Sequence, residues 1–159
     1  MDKIYFQYWG KADQKIGDWH PLPYHCLDVT AVALELLKLR HDWRDRLLNL
    51  TGLSETYLTA WIGFFASIHD LGKFASSFQG IAPEISKKLG HLNCPEYKVK
   101  HDSLGWLFWK TKIVKKMSDE RYLEELAVWA RASTGHHGQP PSFSGLPRLS
   151  NYANNRDLE

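Results

Sequence analysis

An all-α bundle is the fold this sequence predicts, and three observations carry that reading. Apolar residues recur at helical spacing along most of the chain, caps and glycine or proline stops punctuate it at helix-length intervals, and no run alternates as a half-buried strand would. The reading divides residues 1–159 into a leader (1–23), a helical core (24–138) and a loop-rich tail (139–159), together one domain.

The elements follow in order. An aromatic leader (Tyr5, Phe6, Tyr8, Trp9) ends at the Pro21 and Pro23 breaks. Tyr24 to Arg40 then reads as a largely buried helix, with Leu27, Ala31, Leu34, Val32 and Leu36 spread over a wide arc. Asp42 to Leu50 forms a second helix that stops at Gly52. Ser54 is the N-cap of a third, in which Leu58, Ile62, Phe65 and His69 share one face. That helix is expected to end at Leu71-Gly72, with His69 in its last turn on the buried side. Short helices follow at Phe74 to Gln79 and at Pro83 to Leu89, where Pro83 suits a first turn, and Gly90 to Pro95 is loop. A long helix covers His101 to Met117, and a last one, capped by Ser118, runs from Asp119 to Thr134, where Gly135 ends it. Beyond it, residues 151–159 show little apolar content.

Composition narrows the functional classes. With 43% hydrophobic and 24% charged residues the chain can bury a sizeable core, and its net charge of +2 excludes both a strongly basic nucleic-acid wrapper and an acidic solvating tail. The two cysteines, Cys26 and Cys94, form no CxxC pair, so neither a disulfide framework nor a thiolate zinc site is expected. The longest apolar stretch falls far short of the roughly 18–20 residues that span a bilayer, and residues 1–20 lack an apolar signal core. The expectation is a cytoplasmic protein with no membrane partner. Eight histidines and seven tryptophans are abundant for this length.

Five of the histidines fall at helix ends: His25, His69 beside Asp70, His101, and the pair His136-His137. A lone histidine there more often serves the helix dipole or a satisfied core. Here one arrives per helix, so a bundle can bring five imidazoles and one carboxylate to a common point. Imidazole plus carboxylate without sulfur suits manganese, iron, nickel, cobalt or zinc rather than an oxygen-only calcium cage. Five histidines exceed one tetrahedral site, so two metals bridged by Asp70 use the set better, and paired metals are the usual apparatus for hydrolysing phosphate esters. Gly105, four residues after His101, is read as leaving room above that imidazole. The bend Thr134-Gly135-His136-His137-Gly138 crowds two imidazoles in a way that favours a bound partner.

The run His69-Asp70-Leu71-Gly72-Lys73-Phe74 resembles the HD(I/L)GK motif of the HD superfamily. With Tyr24-His25-Cys26-Leu27-Asp28-Val29 upstream and Gly135-His136-His137-Gly138 downstream, residues 8–153 look like one branch of it, the HD nuclease domain of the CRISPR-associated nuclease-helicase of type I systems. The leader Tyr8-Trp9-Gly10-Lys11 is similar as well. The resemblance implies an HD-domain helical bundle with a central dinuclear metal site. It implies His25, His69, Asp70, His101, His136 and His137 as ligands, Asp70 bridging and catalytic, and Lys73 facing the substrate phosphate. Implied with these are two divalent ions, manganese, iron, nickel or cobalt ahead of magnesium or zinc. The activity would be single-stranded DNA endonuclease or exonuclease cleavage in CRISPR interference, beside a helicase domain or subunit and the Cascade complex. That family carries a further metal-ligating aspartate well downstream of the paired histidines, beyond the last residue here, so the domain is expected to be incomplete at its C-terminus. Asp157 lies too close to the pair and in a polar tail, and is not assigned that role.

Several roles stay open at this stage. Lys73 either meets phosphate or pairs with a nearby carboxylate. Asp28 either accepts from a ligand imidazole or favours the dipole of its helix. From Lys98 to Lys116 six lysines stand against Asp102 alone, with Trp106 and Trp109 between them. That stretch either binds a strand, by phosphate attraction and base stacking, or is a core face backed by solvated lysines. Two further functions compete with the nuclease: an HD-type nucleotide phosphohydrolase, against which the paired histidines argue, and a non-catalytic module docking to a helicase or Cascade.

Overall fold

The computed structural model describes residues 4–117, 123–142, 145 and 147–158. The leader does more than the sequence predicts. After a 3-10 turn, β1 (Trp9–Asp13) and β2 (Asp18–Pro21) form an antiparallel hairpin pairing Lys11 with His20 and Asp13 with Asp18. Strands this short carry no readable alternation. Their anchor is a side chain from elsewhere: buried Gln79 accepts from the Trp9 amide (3.0 Å) and donates to the Trp9 carbonyl (3.1 Å), as a neighbouring strand would.

Helix boundaries follow local chemistry. α1 (Leu22–Leu39) begins two residues earlier than expected, with Pro23 in the first turn, where its missing N–H is no loss. α2 (His41–Thr51) ends on Gly52 in the left-handed conformation at φ 67°. Ser54 caps α3 (Glu55–Ser67) by accepting from the Tyr57 amide. α3 stops at Ser67 rather than near Gly72. His69 and Asp70 therefore sit in the turn beyond it, before a 3-10 turn at Leu71–Phe74 and the short α4 (Ser76–Gln79). After α5 (Pro83–Lys88), α6 (His101–Phe108) runs on as a π-helical segment to Ile113 and a 3-10 turn to Lys116. α7 (Leu123–Thr134) leads into the His136-His137 turn. The Ser118 cap expected for α7 lies outside the described residues.

Packing brings these elements around α6. Trp106 and Trp109 are almost wholly buried with Phe65 and Ala130. Each such ring removes enough apolar surface to contribute about 4–6 kcal/mol before entropy is counted. These tryptophans are core, and the base-stacking alternative for them is excluded. The tail also packs more than its composition suggests: Leu149 and Ala153 join Ala75, Leu104, Leu107 and Phe108. Among the described residues no helix is long and apolar enough to cross a membrane.

A close backbone contact joins α6 to the turn after Asp70. A Cβ added at Gly72 would lie 1.9 Å from the His101 carbonyl oxygen and 2.5 Å from the Gly105 nitrogen. Gly105 meets Thr134 and Gly72 in turn, so its absent side chain admits backbone and α7 rather than leaving space over the His101 ring. Gly72→Ala is expected to destabilise the protein by about 3 kcal/mol or more, at or above the top of the overpacking range. Gly63→Ala in α3, where the new methyl finds Leu34 at an ordinary 3.7 Å, should be neutral or stabilising by up to about 1 kcal/mol. Urea unfolding of the two variants checks the contrast.

Candidate metal centre

Four separate chain segments deliver the histidines. His25 lies in the first turn of α1, buried, and packs under Gly10 of β1, where a Cβ would stand 2.8 Å from its own. His69 is fixed by a 2.8 Å hydrogen bond between its Nδ1 and the Ala66 carbonyl, which leaves Nε2 to point away. His101 opens α6, and His136-His137 follow α7. Two groups of potential ligands result, each with its donor atoms within 4.8 Å of one another: His25, His69 and Asp70, and His101, Asp102, His136 and His137.

Asp70 stands between them, only 1% exposed. Its Oδ2 is 2.8 Å from His25 Nε2, 3.1 Å from His69 Nε2 and 2.8 Å from Lys73 Nζ. Its Oδ1 faces the other group, 3.4 Å from His101 Nε2 and 3.6 Å from His136 Nε2. Oδ1 is buried without a hydrogen-bond partner among the described residues, a state that costs at least about 1–3 kcal/mol for an acceptor and more for a charged one. A cation between Oδ1 and the imidazoles removes that cost. The donor set therefore fits divalent metal, which the residues of either group could hold.

Protonation supports the same fit. Burial lowers His25 and His136 below their ordinary pKa, against the pull of Asp70, and lowers His101 to about 4. Those three rings are neutral near pH 7 and offer a lone pair. Burial alone would raise Asp70, but hydrogen bonds from His69 and Lys73, with the lysine charge, outweigh it and hold the carboxyl below its usual range. Metal ligation needs that combination of neutral imidazole and ionised carboxylate.

The remaining expectations divide. Lys73 takes the ion-pair alternative, bonding Asp70 Oδ2 and the Gly10 carbonyl (3.1 Å). Asp28 is exposed and pairs with His20 at 2.8 Å, so it orients no ligand. Asp157 holds the tail: it accepts from the Tyr8 hydroxyl (2.8 Å) and from the Ser76 and Asn154 amides (each 2.8 Å). Two of the lysines in the basic segment also have partners, Lys98 on Glu96 and Lys112 on the Leu158 carbonyl. Sequence reasoning missed Asp102. This residue is 7% exposed, and its Oδ1 lies 3.3 Å from His101 Nε2 with no hydrogen-bond partner among the described residues. The clue was present in a carboxylate one residue after a candidate ligand histidine at a helix start.

Comparison with known proteins adds an independent line. The family described as Cas3, HD domain, matches residues 9–157. The CRISPR-associated endonuclease/helicase Cas3 of Escherichia coli strain K12 is 31% identical, over 86% of this chain and 18% of that protein. The protein of the same name from Thermus thermophilus is 30% identical, over 94% of this chain and 16% of its own length. The chain thus spans less than a fifth of either relative. A crystal structure of a CRISPR-associated protein superposes with a TM-score of 0.66 at 24% identity, covering 98% of this chain and 18% of that one, and shows the shared fold.

Two substitutions separate ligands from scaffold. Replacing His136 and His137 together by alanine should remove at least one metal equivalent, read by elemental analysis of chelator-free protein. Asp157→Asn should lower stability by about 1–3 kcal/mol in denaturant and leave metal stoichiometry of the folded protein unchanged.

Proposed function

This chain belongs to the Cas3 HD-domain family, and from that premise we propose that it is a metal-dependent nuclease domain that hydrolyses phosphodiester bonds of single-stranded DNA in CRISPR interference. The observation that carries the reading is Asp70, a buried carboxylate with one oxygen turned to each histidine group. His25 and His69 would hold one ion with Asp70, and His101, His136 and His137 the other. Two divalent ions bound there would neutralise charge on the phosphodiester and acidify a water towards neutral pH. Manganese, iron, nickel or cobalt suits this donor set.

The protein's own groups account for the rest. Lys73 is a positioning residue: it fixes Asp70 Oδ2 and ties the turn to β1 through the Gly10 carbonyl. His136 and His137 are the more exposed members of the set, so a strand approaches from their side. Access past helix ends and turns favours contact with phosphate and sugar, and therefore a flexible strand of any sequence. Because both curated relatives are named as endonuclease/helicase, a helicase domain or subunit is the partner we infer, with Cascade delivering the opened DNA.

The test uses circular single-stranded DNA with manganese, nickel, cobalt or iron. Cleavage should occur, chelator should stop it, and intact duplex should be spared. Asp70→Ala should lower the rate by at least about a hundredfold, the scale of losing electrostatic stabilisation of the transition state, and should lose bound metal. Efficient hydrolysis of nucleoside phosphates with the circle left intact would replace this reading by the nucleotide-phosphohydrolase one.

A further inference from the structure

We infer that the apolar cleft between α3 and α7 is a nucleobase subsite, which seats a base of the strand whose phosphates lie at the histidine centre. The inference rests on the single-stranded DNA reading and deepens it. The cleft has a volume of about 300 Å³ and is walled by Trp61, Phe65, Ala66 and Trp129, with His69 and His136 at its edge. That volume is at the small end of ligand pockets, which run from about 300 Å³ to 1,000 Å³. Its walls are almost wholly apolar, so they offer nothing to a phosphate and a flat face to a ring.

The geometry favours a base over other occupants. Trp129 is 42% exposed although its neighbours pack closely: Trp61 meets it edge to face at 5.9 Å and 89°, and Phe65 lies 6.2 Å away at 33°. These contacts fix the indole while leaving part of it open to stacking. His69 and His136, whose rings are 5.0 Å apart, border both the cleft and the Asp70 centre. A nucleotide with its phosphate on that centre therefore has its base within reach of the aromatic walls. Stacking is tolerant of sequence because every base presents a π-face. The tryptophans of the basic segment, Trp106 and Trp109, are buried and cannot play this part.

The test compares a fluorescent thymidine decamer with a decamer of the same length whose sugars carry no bases. Binding to the chelator-treated chain is followed by anisotropy, and cleavage by the manganese-loaded chain is followed in parallel. Wild type should prefer the base-bearing strand about tenfold to a hundredfold, the range given by stacked bases. Trp129→Ala should lose most of that preference, Trp129→Phe should keep it, and both should retain wild-type metal content. Full preference in Trp129→Ala, or none in wild type that still cuts the circular strand, overturns the subsite and leaves the nuclease reading standing. Failure of wild type to bind or cut any single strand overturns both. If Trp129→Ala keeps the base preference but no longer binds a purified helicase partner, the cleft is a protein-docking face and the subsite is overturned.

Discussion

Backbone contact between the turn after Asp70 and the start of α6 is the constraint on which the site depends. Gly72 leaves no room for even one carbon against the His101 carbonyl. That contact sets how close His101 comes to Asp70, and Gly105 extends it to Thr134 and hence to the paired histidines beyond α7. On the opposite side Gly10 lets β1 close over His25, and Gln79, bonded to both Trp9 and the Lys73 carbonyl, ties the hairpin to the same turn. Four distant segments are thus registered against one another by glycines that admit close neighbours and by the Gln79 side chain. Interiors packed to this density do not adjust smoothly to an added methyl.

What the constraint holds in place is unfavourable by itself. A carboxylate at 1% exposure loses its hydration, and burial of an unpaired charge is the costliest event in a protein core. Lys73, His25 and His69 offset that loss on Oδ2, whereas Oδ1 and the Oδ1 of Asp102 lack hydrogen-bond partners among the described residues. Folding energy from the surrounding aromatic core supports the arrangement. A divalent ion bound there would return part of the cost, because anything bound only to the folded state stabilises it by mass action.

The helices, and the convergence of the histidines on Asp70, were legible in the sequence for physical reasons that can be named. Ser54 and Gly52 announce their caps by chemistry that acts within one turn, and the histidines stand at helix ends, where a bundle converges. What escaped depends on partners distant in sequence. The hairpin rests on Gln79, seventy residues from Trp9, and the tail on Asp157, whose hydrogen-bond donors include Tyr8 and Ser76. Asp28 turned to His20 because β2 brings that ring alongside α1, which no helical spacing reveals. Trp106 and Trp109 were ambiguous between core and surface, since periodicity shows that a face is apolar without showing what covers it. The resemblance of the HD and paired-histidine motifs extended to the family itself, because those residues carry chemistry rather than packing.

The two halves of the centre are chemically unequal, and the inequality gives the site a direction. Oδ2 of Asp70 lies in a closed half, with His25 and His69 buried or nearly so and a lysine charge at 2.8 Å. Oδ1 looks towards His101 and His136, exposure rises from there to His136 and His137, and among the described residues no lysine contacts that oxygen. Positive charge is therefore already present behind the carboxylate, while imidazole nitrogens and more exposed surface lie in front. The open edge, through His69 and His136, continues into the aromatic cleft. A polar centre next to an apolar wall is what the proposed substrate would need, since a nucleotide is charged at its phosphate and flat at its base.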